Sequence, residues 1–238
     1  MAAKPGMKKE IIITTDGSHS IAIPEMGVTY HSTHGAVQES MHVFIAAGFQ
    51  YTIQKMEPAP PVAVLEMGFG TGLNALLTLI EAERNQQKVY FETIEAFPLD
   101  ASTSSLLNYC ALLQRPDLQM AFEQLHSCGW NTVVEISPCF SIKKTHATLA
   151  DYTAPANHFA VIYFDAFAPD TQPGLWTQAI FEKLYNCIQP GGVLTTYCSK
   201  SIVRKAMMAA GWVVEKIPGP PHKREILRAC KPVLAGED

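Results

Sequence analysis

Apolar and polar positions along the chain follow two different periods. Residues 10–23, Glu-Ile-Ile-Ile-Thr-Thr-Asp-Gly-Ser-His-Ser-Ile-Ala-Ile, form two β-prone runs on either side of Asp16-Gly17. That pair suits the positive φ of a tight turn, so the segment predicts an N-terminal hairpin. After Gly35, Val37, Met41, Phe44, Ile45 and Phe49 fall near helical spacing and predict a helix over 35–49, ending near Gly48 and the polar stretch beyond it. Pro58, Pro60 and Pro61 then break the pattern. They predict a boundary between an N-terminal extension, residues 1–60, and a main domain, residues 61–238.

Past that boundary the two periods alternate. Strands are expected at 62–67, 89–94, 159–165 and 192–198, and helices at 73–85, 99–113, 174–187 and 201–210. Such alternation is the mark of an α/β domain with a parallel sheet covered by helices. Residues 132–136 and 140–146 read as extended around Ser137-Pro138. Residues 212–217 and 225–230 flank the Pro-Gly-Pro-Pro of 218–221 and read as an antiparallel pair closing the sheet.

Composition narrows the class. A length of 238 residues suits one large domain, and 47% apolar with 17% charged residues describes a globular chain. The longest apolar runs, 43–49 and 62–65, fall far short of the ~20 residues of a membrane span. The first ten residues lack the apolar core of a secretory signal, which predicts a cytoplasmic location and no membrane partner. Cys110, Cys128, Cys139, Cys187, Cys198 and Cys230 are scattered without a CxxC pair or a histidine at ligand spacing. They predict reduced thiols, no disulfide framework and no metal. A net charge of −4 argues against attraction of the whole molecule to a polyanion. One local exception stands out: residues 199–232 carry Lys200, Arg204, Lys205, Lys216, Lys223, Arg224, Arg228 and Lys231 against Glu215 and Glu225, a net of +6.

Three stretches carry candidate chemistry. Val64-Leu-Glu66-Met-Gly68-Phe-Gly70-Thr-Gly72 is a buried strand running into a G-x-G-x-G turn and a helix start. Glycines there let backbone approach a ligand closely. The spacing departs from the G-x-G-x-x-G of dinucleotide sites, and Glu66 would repel a pyrophosphate but hold the cationic amino-acid end of S-adenosylmethionine. Glu95 ends the next strand, where a carboxylate accepts from both ribose hydroxyls. Asp151 is open between two roles, a contact to the adenine amino group and a loop acid or helix cap. The apolar strand ending at Phe164 delivers Asp165 to the carboxyl edge of the sheet, where open α/β sheets bind ligands. Phe167 in the loop that follows is expected to face a flat base, whereas Trp176 is expected in the core.

The motif Asp165-Ala-Phe-Ala-Pro169 with Leu175-Trp-Thr, the E-x-G-x-G-x-G turn, the front segment Tyr30-His31-Ser32 with Gly35-Ala36, Glu39-Ser40 and Val43-Phe44-Ile45, and the tail Lys223-Arg224-Glu225-Ile-Leu together resemble the MnmC-like methyltransferase family. The resemblance runs from about residue 10 to 230. It implies a class I S-adenosylmethionine-dependent methyltransferase, Rossmann-like, with a mostly parallel seven-stranded sheet whose last strand is antiparallel. It also implies tRNA as partner, with 5-aminomethyluridine, often 2-thiolated, converted to 5-methylaminomethyluridine at the wobble position. Two-domain members of the family add a flavin-dependent oxidase, which this sequence lacks, so no flavin is expected. Many relatives read Gly-Asp where this chain has Ala150-Asp151.

Within that resemblance Asp165 and Phe167 are the expected catalytic pair, with Asp165 orienting the acceptor amine and receiving its proton. Glu66, Gly68, Gly70, Gly72, Glu95 and Asp151 are expected to hold the cofactor. Tyr30, His31, Glu39 and Tyr197 are expected on the substrate wall, and Lys200, Arg204, Lys205, Lys223 and Arg224 on tRNA phosphates. His31 and His34 are not assigned as bases. Two other readings remain at this level: an aminopropyltransferase of the polyamine pathway, which shares the sheet, the turn and the strand-end aspartate, and a non-catalytic cofactor- or tRNA-binding scaffold.

Overall fold

The computed structural model describes residues 7–55 and 61–233, so Pro58 and Pro60 of the expected boundary lie outside the described residues. The hairpin forms as β1 (Glu10–Ile13) and β2 (His19–Ile23), and β3 (Val28–Thr29) joins β2 to make a small antiparallel sheet. Gly17 takes φ 83°, as the turn requires. Asp16 ties this turn to the next element: its Oδ1 accepts from the Ser18 N–H at 3.0 Å and its Oδ2 from the Gln38 N–H at 3.0 Å. A Cβ on Gly35 would lie 2.7 Å from that same Oδ2, so the junction needs glycine.

The helix that follows continues past Gly48. It is α-helical over Ala36–Ser40, a π-helix over Met41–Gln50 and α-helical again over Tyr51–Ile53. Gly48 is a packing residue rather than a stop, since a Cβ there would sit 3.2 Å from Thr195 Oγ1 and from the Tyr163 ring. Val43, Phe44, Ile45 and Phe49 are thereby pressed into the core under the main sheet.

That sheet has eight strands in the order β10-β11-β9-β8-β4-β5-β7-β6. β4 (Val62–Met67), β5 (Val89–Glu95), β7 (Phe140–His146), β8 (Phe159–Phe164) and β9 (Ile188–Thr196) are mutually parallel. β11 (Glu225–Cys230) runs antiparallel to β9 and carries β10 (Val213–Pro218) on its other side. These seven match the number the resemblance implies, with β11 as the antiparallel member, and the segment read as extended over 132–136 also forms a strand. β6 (Val133–Ser137) adds an eighth, antiparallel to β7, at the opposite edge. β4 and β8 are buried at every position, which explains their unbroken apolar runs.

Helices cover both faces. The 36–53 helix, Leu73–Arg84 and Gln119–Ser127 contribute to one core cluster, and Gln178–Cys187 and Ser201–Ala209 to the other. The helix expected over 99–113 is replaced by two short ones, Ala101–Ser104 and Tyr109–Leu112. The N-terminal hairpin causes the break. Asn108 accepts from the His19 N–H at 2.9 Å and donates to the Gly17 carbonyl at 2.9 Å, while the Tyr109 hydroxyl donates to the His19 carbonyl at 2.8 Å. Among the described residues no helix is long and apolar enough to cross a membrane.

Candidate active site

A cavity of about 390 Å³ opens at the carboxyl ends of β4, β5, β7 and β8, within the size range of small-molecule sites. Residues 30–31, which follow β3, and the loop after β8 also line it. The glycine turn after β4 forms the floor. Gly68, Gly70 and Gly72 all have positive φ, and at Gly70 (φ 49°) a Cβ would come 3.1 Å from the Tyr30 ring. Only glycine permits this turn to run beneath Tyr30.

Glu95 is clamped to the turn. Its Oε2 accepts from the Gly70 N–H at 3.1 Å and its Oε1 from the Phe97 N–H at 2.7 Å. Each oxygen keeps a further lone pair for a donor in the cavity. Gly68, Gly70 and Glu95 therefore stand together on the wall, with Phe97, Thr148 and Leu149 beyond them. Gly72 lies behind the wall, where it starts the 73–84 helix and packs against His126. Glu66 is also behind it, 1% exposed, and its Oε2 has no hydrogen-bond partner among the described residues. Burial pushes its carboxyl well above the ordinary carboxylate range.

Asp165 faces the cavity from the end of β8 and accepts from Asn74 Nδ2 at 3.0 Å. Protein encloses it on every side except the cavity, and this burial lifts its pKa to about 7. The Glu39 charge pushes in the same direction, while the Asn74 hydrogen bond and the Lys223 charge oppose it. Lys223 donates to Glu39 Oε1 at 2.9 Å and lies 4.5 Å above the Tyr197 ring, and the Tyr197 hydroxyl donates to the Ala166 carbonyl at 2.9 Å. Phe167 meets Tyr30 edge-to-face, with centroids 5.4 Å apart. Trp176 is buried and holds the Phe167 carbonyl through its indole N–H at 2.9 Å.

Other expected residues stand apart from the cavity. Asp151 is exposed and accepts from Thr148 Oγ1 at 2.5 Å. Lys200 pairs with Asp170. Lys223, expected on tRNA phosphates, pairs with the half-buried Glu39 at 2.9 Å and keeps its side chain 31% exposed. Arg204, Lys205 and Arg224 make no ion pair among the described residues. The structure places the expected His31 on the wall and adds Asn74 and Gln172 to it. Asn74 had a visible signal, a polar residue within the apolar run Leu73 to Leu77, whereas Gln172, which accepts from the Phe167 N–H at 3.0 Å, had none. Burial lowers the His31 pKa to about 4, so its ring is neutral at pH 7.

Comparison with known proteins bears on this geometry. A family model described as S-adenosyl-L-methionine-dependent methyltransferase matches residues 139–232. The chain is 30% identical over 216 residues to the tRNA 5-methylaminomethyl-2-thiouridine biosynthesis bifunctional protein MnmC of Stutzerimonas stutzeri, covering 85% of this chain and 32% of that protein. The MnmC of Chromobacterium violaceum is 29% identical over 229 residues, covering 90% and 33%. The chain thus spans about a third of the length of these curated relatives. Among solved structures, MnmC2 from Aquifex aeolicus superposes with a TM-score of 0.76 at 22% identity, covering 96% of this chain and 73% of that one. Spermidine synthase from Thermotoga maritima superposes at 0.53 and 15% identity, covering 96% and 70%.

The fold is that of the S-adenosyl-L-methionine-dependent methyltransferases, and residues 139–232 match the model of such a family. In sequence the chain is similar to the MnmC proteins, and in fold to MnmC2. The residues present fit the cofactor: the turn leaves a cradle that a Cβ at Gly70 would close, and Glu95 offers fixed acceptors beside it.

Proposed function

We propose that this domain methylates the exocyclic amine of 5-aminomethyluridine, or its 2-thio form, at the wobble position of tRNA in the cytoplasm, giving the 5-methylaminomethyl product. The observation that carries the reading is Asp165, a carboxylate at the strand end that opens into the cavity and has a pKa of about 7. Similarity to the MnmC proteins supports the choice of a tRNA amine as acceptor.

An alkyl ammonium, with a pKa of ~10.4, has no lone pair to attack with. Asp165 accepts an N–H of this group and takes its proton. Raised to about 7, it is a stronger base than a solvated aspartate and is still ionised in half the molecules or more at pH 7 and above. Asn74 fixes its orientation. Phe167 and Tyr30, edge-to-face at the mouth, offer ring surfaces to the flat base. Gly68, Gly70 and Glu95 are the residues that would hold the cofactor, with Glu95 taking the ribose hydroxyls. When bound, S-adenosylmethionine supplies an electrophilic methyl group on a sulfonium. Holding amine and methyl donor in one cavity supplies the proximity on which the rate depends.

The experiment is methyl transfer to tRNA carrying either 5-aminomethyl or 5-carboxymethylaminomethyl uridine, with putrescine and decarboxylated S-adenosylmethionine as a parallel reaction. Methylation of the aminomethyl tRNA alone is expected. Aminopropyl transfer to putrescine would instead favour the polyamine reading. Binding of S-adenosylmethionine with no transfer to any acceptor would leave a scaffold.

A further inference from the structure

His34 lies just before Gly35, at the entry to the 36–53 helix, and His222 lies in the turn between β10 and β11. Their rings stack with centroids 4.5 Å apart and planes 20° from parallel. Both residues are exposed. His222 has φ 69°, a left-handed conformation uncommon outside glycine, and the turn is fixed by the Lys223 N–H on the Pro220 carbonyl at 2.9 Å and the Gly219 N–H on the Arg224 carbonyl at 3.1 Å. Backbone strain that presents a ring to solvent gains nothing from burial, and strain of this kind concentrates at functional sites.

The stack adjoins the cavity. Its rings line a shallow recess with Ser32, Glu39 and Lys223. Ser32 directly follows Tyr30 and His31 of the cavity wall, and Lys223 spans from Glu39 to the Tyr197 ring. Exposed Arg224 follows Lys223 in the same turn, two residues after His222.

The next step rests on the proposed reaction. A uridine whose base enters the cavity must leave its stack, which deprives the neighbouring base of a partner. We propose that the His34–His222 pair is a stacking platform for the nucleobase adjacent to the target uridine in the RNA chain. Imidazole faces stack on any base, so the platform tolerates different neighbours and contributes affinity and register rather than sequence choice.

The test uses an anticodon stem-loop RNA with 5-aminomethyluridine at the wobble position and fluorescent 2-aminopurine at its 3′ neighbour. Binding to the unaltered protein should quench the 2-aminopurine. His34→Ala and His222→Ala should each abolish the quenching and raise the stem-loop Kd about 5- to 100-fold, the range expected for one stacked base. Their Kd for S-adenosylmethionine should not change. His34→Phe keeps a ring and should restore both quenching and affinity. An RNA that is abasic at the neighbouring position should bind the unaltered protein and His34→Ala equally. Unchanged quenching and Kd in both alanine variants, or a His34→Phe variant as weak as His34→Ala, would overturn the platform. Quenched binding without methylation would sink the reaction but keep the platform; methylation without quenching would do the reverse.

Discussion

Asp165→Asn removes the proposed base while keeping its shape, and the structure predicts that the variant is at once inactive and more stable. The unfolded chain releases this proton near 3.8 and the folded protein near 7. Between those values the folded state binds more protons, so its stability falls as pH rises. A pKa lifted from 3.8 to about 7 corresponds to about 4 kcal/mol at most, and water in the cavity brings the expected figure to about 2–4 kcal/mol. Asparagine carries no such proton and escapes the loss. Urea denaturation of both proteins should therefore show a stability gap that is small near pH 4 and opens to about 2–4 kcal/mol in favour of Asp165→Asn by pH 8. Methyl transfer to aminomethyl tRNA should fall by about 10²- to 10⁴-fold, with the Kd for S-adenosylmethionine changed much less. In the unaltered protein kcat/KM should rise with pH through about 7 as Asp165 ionises. A gap that does not vary with pH would refute the burial argument, and near-normal turnover would remove Asp165 from the proton transfer.

Gly70→Val should weaken S-adenosylmethionine binding about tenfold or more by calorimetry, because φ 49° and the Tyr30 ring 3.1 Å from the new Cβ both oppose a side chain; unchanged affinity would take the turn out of the cofactor site. Glu95→Gln should weaken it by about 1.5–3 kcal/mol as charge-assisted hydrogen bonds become neutral ones, and an equal affinity would place the ribose elsewhere. Replacing Arg204, Lys205 and Arg224 together by alanine should lower the log–log salt slope of tRNA binding by about two to three, roughly one for each phosphate no longer neutralised. An unchanged slope would move the tRNA surface off this face.

Much of this architecture is legible in sequence because its strands are buried on both faces. Val62–Met67 and Phe159–Phe164 read as apolar runs for that reason, and the glycines at 68, 70 and 72 announce the turn from the first of them into the 73–84 helix through conformations other residues disfavour. The breakdowns occur where a side chain answers to a distant partner. Residues 99–113 carry enough periodicity for one helix, but Asn108 and Tyr109 bond to the hairpin at Gly17 and His19, and those bonds decide the local structure. Gly48 reads as a helix stop, yet what it satisfies is the approach of the helix to Tyr163 and Thr195 across the sheet.

Charge is the least legible property. The net of +6 over residues 199–232 invites a single interpretation, yet the fold divides those side chains among different tasks. Lys216 and Arg228 pair with Glu225 and Glu215 along the β10–β11 ladder, and Lys231 donates to the carbonyls of Tyr185 and Ile188. Lys223 meets Glu39, 184 positions earlier in the chain, and there opposes the rise in Asp165 basicity that Glu39 promotes. Two opposite charges bonded to each other therefore act on one carboxylate in opposite directions. Losing either alone should shift the pH dependence of methyl transfer, Lys223→Met upward and Glu39→Gln downward, and losing both should return it toward that of the unaltered protein.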